Sequence, residues 1–301
     1  MTQKNKHLFV SEVQDKQRIA DFEGCDGTKG LPFLMSAGQV PEAKACVGFF
    51  MSRKDASIIE RIHAGDRAGN IEHIHDHDEM YFVFGEGKIE MTVTLGHDTY
   101  KVTAPGAAYV PAGLPHSVYI SDAEEGKFNG ICSVLLNGEY IAKEVPAVPL
   151  MLEDTSHLIV RELKWVSDLP DHDAGSSDYQ DVGFPFLLNR QMMPESKVCY
   201  APYYVTVPQQ LVDLARADKL GKATPHKHHD DEMYLLFGEQ DAVSVTITLG
   251  DEEYVVPNPA VIYIPHPLPH SIRISDGQAG QFGGASAFLI CPDYYTEPLT
   301  Q

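Results

Sequence analysis

Residues 73–87 read HIHDHDEMYFVFGEG, and residues 226–240 read HKHHDDEMYLLFGEQ. The segments around them match in the same order: GLPFLMSAGQVPEAKAC at 30–46 corresponds to GFPFLLNRQMMPESKVC at 183–199, and YVPAGLPHSVYISD at 109–122 corresponds to YIPHPLPHSIRISD at 263–276. Self-similarity of this kind indicates a structural unit that occurs twice.

The chain is therefore interpreted as a tandem duplication. Even the openings of the copies agree, with HLFV at residue 7 and HLIV at residue 157. The junction lies near residues 145–156, which supply two prolines and a polar run. This predicts two domains, residues 1–150 and residues 151–301.

Each copy reads as β-structure. Ile89, Met91, Val93 and Leu95 alternate with polar residues, and this period of two gives a strand with one apolar face. Copy two repeats the alternation over residues 243–249. Short strands punctuated by glycine and proline indicate an all-β sandwich or barrel. Helix is expected only in short pieces, such as residues 208–219 and the first few residues of each copy.

The composition excludes several classes of partner. The formal net charge is -20, from 43 acidic and 23 basic residues, and no basic patch offsets it. Such a surface repels phosphate backbones, so nucleic acid is not an expected partner. No stretch approaches the roughly 20 apolar residues of a membrane span. The five scattered cysteines and the lack of a secretory signal predict reduced thiols in the cytoplasm.

Histidines and a carboxylate recur at matching positions in both copies. His73 and His75 are two residues apart and share one side of an extended segment, Glu79 follows, and His116 comes after a later turn. The matching residues of copy two are His226, His228, Glu232 and His270. Three imidazoles and one carboxylate at one point suit a first-row divalent metal with open positions for substrate.

These residues resemble the two signature motifs of the cupin superfamily, His-x-His-x3-Glu followed by glycine and Pro-x-Gly-x2-His. The resemblance implies a bicupin, that is, two tandem double-stranded β-helix (cupin jelly-roll) barrels. It also assigns metal binding, with one divalent metal per domain, to His73, His75, Glu79, His116, His226, His228, Glu232 and His270. One departure is Pro267, which replaces the glycine of the second motif. The resemblance also allows a homo-oligomer.

Further residues near the motifs have open roles. Tyr81 and Tyr234 follow the ligand glutamates by two residues and share their inward face. They are therefore candidates either for core packing or for lining the pocket, and they join Glu79 and Glu232 as candidate catalytic residues. The remaining polar residues between the ligands are expected at the rim or in solvated turns, namely Asp76, His77, Asp78, His229 and Asp230.

The leading functional hypothesis is a metal-dependent enzyme that cleaves a C–C bond in a small enolisable or phenolic ring substrate. The metal would hold two oxygens of the substrate, and Glu79 or Glu232 would move a proton. Fe(II) would support a dioxygenase, and Mn(II) or Zn(II) would support hydrolysis of a cyclic diketone. The alternatives are a redox-neutral isomerase or decarboxylase of a small oxo-acid and a non-catalytic, ligand-binding bicupin. Met80 and Met233 stand where the oxalate decarboxylase pattern places tryptophan, and few basic residues are placed to meet a dianion.

Overall fold

The computed structural model describes residues 4–11, 33–65, 71–166, 184–220, 224–295 and 297–298. The strands, in chain order, are β1 (Phe9–Val10), β2 (Phe33–Met35), β3 (Cys46–Arg53), β4 (Glu79–Gly85), β5 (Ile89–Leu95), β6 (Asp98–Thr103), β7 (Gly106–Val110), β8 (His116–Ala123), β9 (Phe128–Leu135), β10 (Ile159–Val160), β11 (Lys164–Val166), β12 (Phe184–Phe186), β13 (Cys199–Thr206), β14 (His226–Lys227), β15 (Glu232–Gly238), β16 (Val243–Leu249), β17 (Glu252–Pro257), β18 (Ala260–Ile264), β19 (His270–Gly277), β20 (Phe282–Leu289) and β21 (Glu297–Pro298).

The helices are short. Two α-helices, α1 (Ala56–His63) and α2 (Gln209–Arg216), and two 3-10 turns, Lys6–Leu8 and Ser156–Leu158, complete the described elements. Helix α2 lies within the predicted residues 208–219, whereas α1 was not predicted. Asp55 begins α1 by accepting a hydrogen bond from the backbone N–H of Ile58 at 2.9 Å. None of the helices in these ranges is long and apolar enough to span a membrane.

The chain divides into two compact units. We call Val13–Glu162 the first barrel and Met1–Glu12 with Leu163–Gln301 the second barrel. In the first barrel one sheet has the order β10-β7-β4-β9-β3-β2 and the other has the order β6-β5-β8. In the second barrel the corresponding sheets are β1-β18-β15-β20-β13 and β17-β16-β19-β14-β21, beside a small β11-β12 pair. The strand pairs of the described ranges are antiparallel, and the prediction of an all-β architecture is confirmed.

The predicted alternation is visible in β5. Ile89, Met91, Val93 and Leu95 are at most 1% exposed, while Glu90 between them is half-buried. Residues with a period of two therefore supply one wall of the core, and the same pattern recurs in β16.

The short opening strand of each repeat pairs within the barrel formed by the other repeat. Strand β1 pairs with β18, with Phe9 opposite Ile262, and β10 pairs with β7, with Ile159 opposite Ala108. Each added strand gives hydrogen-bond partners to what would otherwise be a sheet edge. The compact units consequently differ from the sequence division at residue 150, since the second repeat leaves its opening in the first barrel.

The thiols of Cys46, Cys132, Cys199 and Cys291 are buried and unbridged. Cys25 lies outside the described residues.

Candidate metal centres

Four predicted ligands meet in the first barrel. Glu79 is the first residue of β4, His116 is the first residue of β8, and His73 and His75 precede β4. Two backbone hydrogen bonds of 3.0 Å join His73 to His116, so the segment before β4 lies beside the start of β8. The ligand atoms of the four side chains all lie within 4.8 Å of one another. The structure thus brings the three imidazoles and the carboxylate to one point.

The second barrel repeats this arrangement with His226, His228, Glu232 and His270, whose ligand atoms also lie within 4.8 Å of one another. His226 in β14 pairs with His270 at the start of β19. The histidine ring centroids are 4.5 to 5.2 Å apart, against 4.3 to 5.3 Å in the first barrel. The two centres have the same geometry although the residues between the ligands differ.

A hydrogen bond to a backbone carbonyl orients the ring of each ligand histidine. The acceptors are Ile71, Ile141 and Leu114 at 2.9, 2.6 and 3.0 Å in the first barrel, and Thr224, Tyr295 and Leu268 at 2.7, 2.6 and 3.1 Å in the second. Each bond uses the ring Nδ1. Because a carbonyl only accepts, Nδ1 carries the proton and Nε2 keeps its lone pair for the centre.

At each centre one buried glutamate oxygen lies against two imidazole nitrogens. Oε2 of Glu79 is 3.1 Å from Nε2 of both His75 and His116, and Oε2 of Glu232 is 3.3 and 2.8 Å from Nε2 of His228 and His270. The other oxygen of each carboxylate, Oε1, is buried and makes no hydrogen bond within the described ranges. A buried polar atom without a partner costs about 1–3 kcal/mol, and more when it is charged. A cation at the centre of each set would satisfy these atoms, and the mixed nitrogen and oxygen donors suit Fe(II), Mn(II) or Zn(II). The residues present therefore fit a divalent transition metal in each barrel.

The histidines keep the ligand glutamates ionised. Burial acts to raise the pKa of the Glu79 carboxyl, but the charges and hydrogen bonds of His75 and His116 outweigh it and hold that pKa well below its usual range. His270 and His228 act in the same way on the pKa of the buried Glu232. Burial, with the nearby His116, lowers the pKa of His73 to about 4. An ionised carboxylate and a neutral His73 at pH 7 suit metal binding. Burial acts to lower the pKa of His75 and His228, but Glu79 and Glu232 outweigh it and raise both pKa values, so a cation would compete with a proton for Nε2 of these two rings.

The predicted tyrosines lie at the centres. The Tyr81 hydroxyl donates a hydrogen bond of 2.8 Å to Oε2 of Glu79, and the Tyr234 ring lies 6.2 Å from the ring of His270. Burial and the neighbouring glutamate raise the pKa of both phenols well above its usual value. Tyr81 therefore reaches the ligand set itself and carries a proton at neutral pH.

A second tyrosine at each centre was missed by the sequence analysis. The Tyr140 hydroxyl lies 3.2 Å from Nε2 of His73, and its ring centroid is 4.8 Å from that of His75. In the second barrel Tyr294 takes the matching place, 5.6 Å from the ring of His228. Continuing the alignment of the repeats to their ends would have found this pair, since residues 139–140 read EY and residues 293–294 read DY.

The prediction of solvated rim residues is right for Asp76, His77, His229 and Asp230, which are exposed. It is wrong for Asp78, which is 5% exposed. The Asp78 carboxylate is buried because it accepts hydrogen bonds from a tyrosine hydroxyl and a backbone N–H of the turn that precedes His116. These partners come from a distant part of the chain, so the local pattern around Asp78 does not reveal them.

No protein-family model and no curated protein sequence matches the chain. Among solved structures it is similar to two mutants of oxalate decarboxylase from Bacillus subtilis. One has a TM-score of 0.57 and 11% sequence identity over 97% of this chain and 79% of that chain. The other has a TM-score of 0.55 and 11% identity over the same shares of 97% and 79%. At this identity the likeness establishes the fold, and the tandem cupin fold expected from the motifs is confirmed.

A third similar structure concerns the Mn(II) centres of the same Bacillus subtilis enzyme. Its TM-score is 0.51 at 11% identity, over 88% of this chain and 74% of that chain.

Proposed function

We propose that this chain is a metal-dependent bicupin enzyme, with one divalent transition metal in each barrel, that cleaves a C–C bond in a small enolisable or phenolic ring substrate. The observation that carries the proposal is the pair of three-histidine, one-glutamate sets whose ligand atoms lie within 4.8 Å of one another in each barrel. His73, His75, Glu79 and His116 would hold the metal in the first barrel, and His226, His228, Glu232 and His270 would hold it in the second. A bound metal would act as a Lewis acid on two substrate oxygens, with dioxygen if it is Fe(II) and with water if it is Mn(II) or Zn(II).

Charge near the centres favours a neutral substrate over a small dianion. Lys54 is the only buried lysine or arginine in the described ranges. Its ammonium donates to the backbone carbonyls of Ser52 and Asn129 at 3.1 and 2.6 Å. Lys54 follows the end of β3, whereas the opposite end of that strand, at Cys46, pairs with the residue that faces Glu79. No buried cation of the described ranges is therefore placed to hold a dianion at the first centre.

The chain's own groups supply proton transfer and positioning. Tyr81 donates to Oε2 of Glu79 and fixes the carboxylate, while Oε1 has no hydrogen-bond partner in the described ranges. In this proposal Glu79 would take a proton from an enolisable substrate, and Glu232 would do the same in the second barrel. The Tyr140 hydroxyl lies 3.2 Å from Nε2 of His73. With a metal on that nitrogen, Tyr140 would donate its hydrogen bond to a substrate oxygen instead.

The test is turnover by metal-loaded protein on a panel of flavonols, catechols and cyclic diketones, with and without dioxygen. We expect cleavage of at least one ring class, and its loss in a variant that carries both H75A and H228A. No turnover of any panel member by protein that holds two equivalents of Fe(II), Mn(II) or Zn(II) would contradict the proposal.

The second candidate is redox-neutral decarboxylation or isomerisation of a small oxo-acid. Its support is the fold shared with oxalate decarboxylase, including the structure concerned with Mn(II) centres. Release of CO2 from oxalate by the Mn(II)-loaded protein, with no activity on the ring panel, would favour this candidate.

A third reading, a non-catalytic ligand-binding bicupin, requires thermal stabilisation by a panel compound without any product. The cytoplasmic location and the homo-oligomer remain predictions.

A further inference from the structure

We propose that Asp78 in the first barrel, and Asp231 with His266 in the second, are positioning residues of the metal centres. Their hydrogen bonds hold the turn that precedes the last histidine ligand, His116 or His270, against the segment that carries the other ligands. This inference rests on the proposed metal-binding function and deepens it.

In the first barrel two attachments, each made by hydrogen bonds, hold the turn against this segment. The Asp78 carboxylate accepts a hydrogen bond from the Tyr109 hydroxyl at 2.5 Å and another from the backbone N–H of Ala112 at 2.9 Å. The next turn residue, Gly113, donates its N–H to the carbonyl of His75 at 2.7 Å. Asp78 directly precedes the ligand Glu79, so both attachments join the turn to the ligand-bearing segment.

The second barrel contains the same carboxylate attachment. Asp231 accepts from the Tyr263 hydroxyl at 2.5 Å and from the backbone N–H of His266 at 2.8 Å. The turn position is alanine in the first barrel and histidine in the second. Because the bond uses a backbone N–H, the change of side chain leaves it intact. The carboxylate–backbone hydrogen bond therefore recurs although the two copies have diverged, as expected if both centres require it.

The second attachment is kept by a different group. Pro267 replaces the turn glycine and has no N–H to donate. Instead, the ring Nδ1 of His266 lies 2.7 Å from the carbonyl oxygen of His228. A carbonyl only accepts, so Nδ1 is the donor. The side chain of His266 thus takes over the hydrogen bond that Gly113 makes in the first barrel, which explains why His266 has no counterpart there.

The position of the last histidine ligand must be fixed because a metal centre tolerates little displacement of its donor atoms. Outer residues that orient metal ligands typically contribute a factor of about 10–100 to metal affinity. His266 is exposed, so its substitution leaves the core of the barrel untouched and reports on positioning rather than on folding.

The experiment measures Mn(II) affinity by the electron paramagnetic resonance of free Mn(II), in full-length protein that carries H75A so that only the second centre binds. We expect the Kd to rise about 10-fold or more on adding H266A or D231N. Adding H266N should leave the Kd within about threefold of the parent, because the Asn amide N–H can replace the Nδ1 donor. H63A, which removes an exposed histidine of the first barrel, is the control and should change nothing.

The thermal midpoint of the metal-free protein is measured in parallel and should be the same for the H75A parent and the H75A/H266A variant. An unchanged Kd in both the H266A and D231N variants would overturn the inference, as would equal weakening by H266A and H266N. If the H75A parent binds no Mn(II), Fe(II) or Zn(II), the proposed function fails instead, and the two failures are thereby distinguished.

Discussion

The contact between Tyr81 and Glu79 allows a quantitative test of the electrostatics at the first centre. The hydroxyl donates at 2.8 Å to Oε2 of Glu79, and the two side chains are 7% and 0% exposed. Y81F removes only the hydroxyl, so the ring keeps its packing while a buried carboxylate loses one donor. Hydrogen bonds to charged groups contribute about 1.5–3 kcal/mol, so the free energy of unfolding of the metal-free protein should fall by about 2 kcal/mol.

The assay is thermal unfolding in EDTA. A loss of about 2 kcal/mol in a unit of about 150 residues corresponds to a fall in Tm of about 4–8 °C. Y100F in the same barrel is the matched control. The Tyr100 hydroxyl shares a neutral hydrogen bond with Thr155 at 2.9 Å, so Y100F should cost about 1 kcal/mol or less.

A double-mutant cycle isolates the contact itself. E79Q replaces the carboxylate with a neutral amide of the same size, so in that background Y81F should cost about 1 kcal/mol less than in the wild type. Additivity of the two substitutions within about 0.5 kcal/mol would refute this account of the charge-assisted bond.

Two further predictions concern the first barrel. His73 has a pKa of about 4 in the folded chain against an ordinary value of about 6.5, so the unfolded chain binds the proton more readily. The metal-free protein should therefore lose stability as the pH falls from about 6.5 towards about 4. H73Q should make the Tm less dependent on pH over this range. A Cβ at Gly85 would stand 2.2 Å from the Cβ of Asn129 at a φ of +141°, so G85A should lose about 3 kcal/mol or more of stability or fail to accumulate as soluble protein. G126A, at a φ of +77° and with no atom beyond its two chain neighbours within 4 Å of the added Cβ, should cost only about 1 kcal/mol.

The fold was largely predictable because its signals repeat. The alternation in β5 and β16 and the two copies of each ligand motif recur in register, so independent positions support the same assignment. Strand parity predicted that His73 and His75 share one side, and the resemblance to the cupin motifs predicted that Glu79 and His116 join them.

What the sequence did not reveal depends on contacts between distant segments. The exchange of β1 and β10 between repeats leaves no local pattern, because the short openings pair with strands far away in the chain. In the sequence Asp78 looks like a turn residue because it follows the polar residues Asp76 and His77. Its burial depends on hydrogen bonds from Tyr109 and from the N–H of Ala112, which lie far away in the chain.

His266 had no predicted role for a similar reason. Its function follows from Pro267, whose missing N–H is replaced by the His266 ring, and this substitution becomes visible only in the geometry.

The most direct test of the central claim is metal content per chain, measured by mass spectrometry on protein purified anaerobically. The account predicts two equivalents of Fe(II), Mn(II) or Zn(II), falling to one in the H75A variant and in the H228A variant, and to none when both substitutions are combined. A folded chain that binds no transition metal after purification and reconstitution, or that keeps both equivalents in the combined variant, would contradict it.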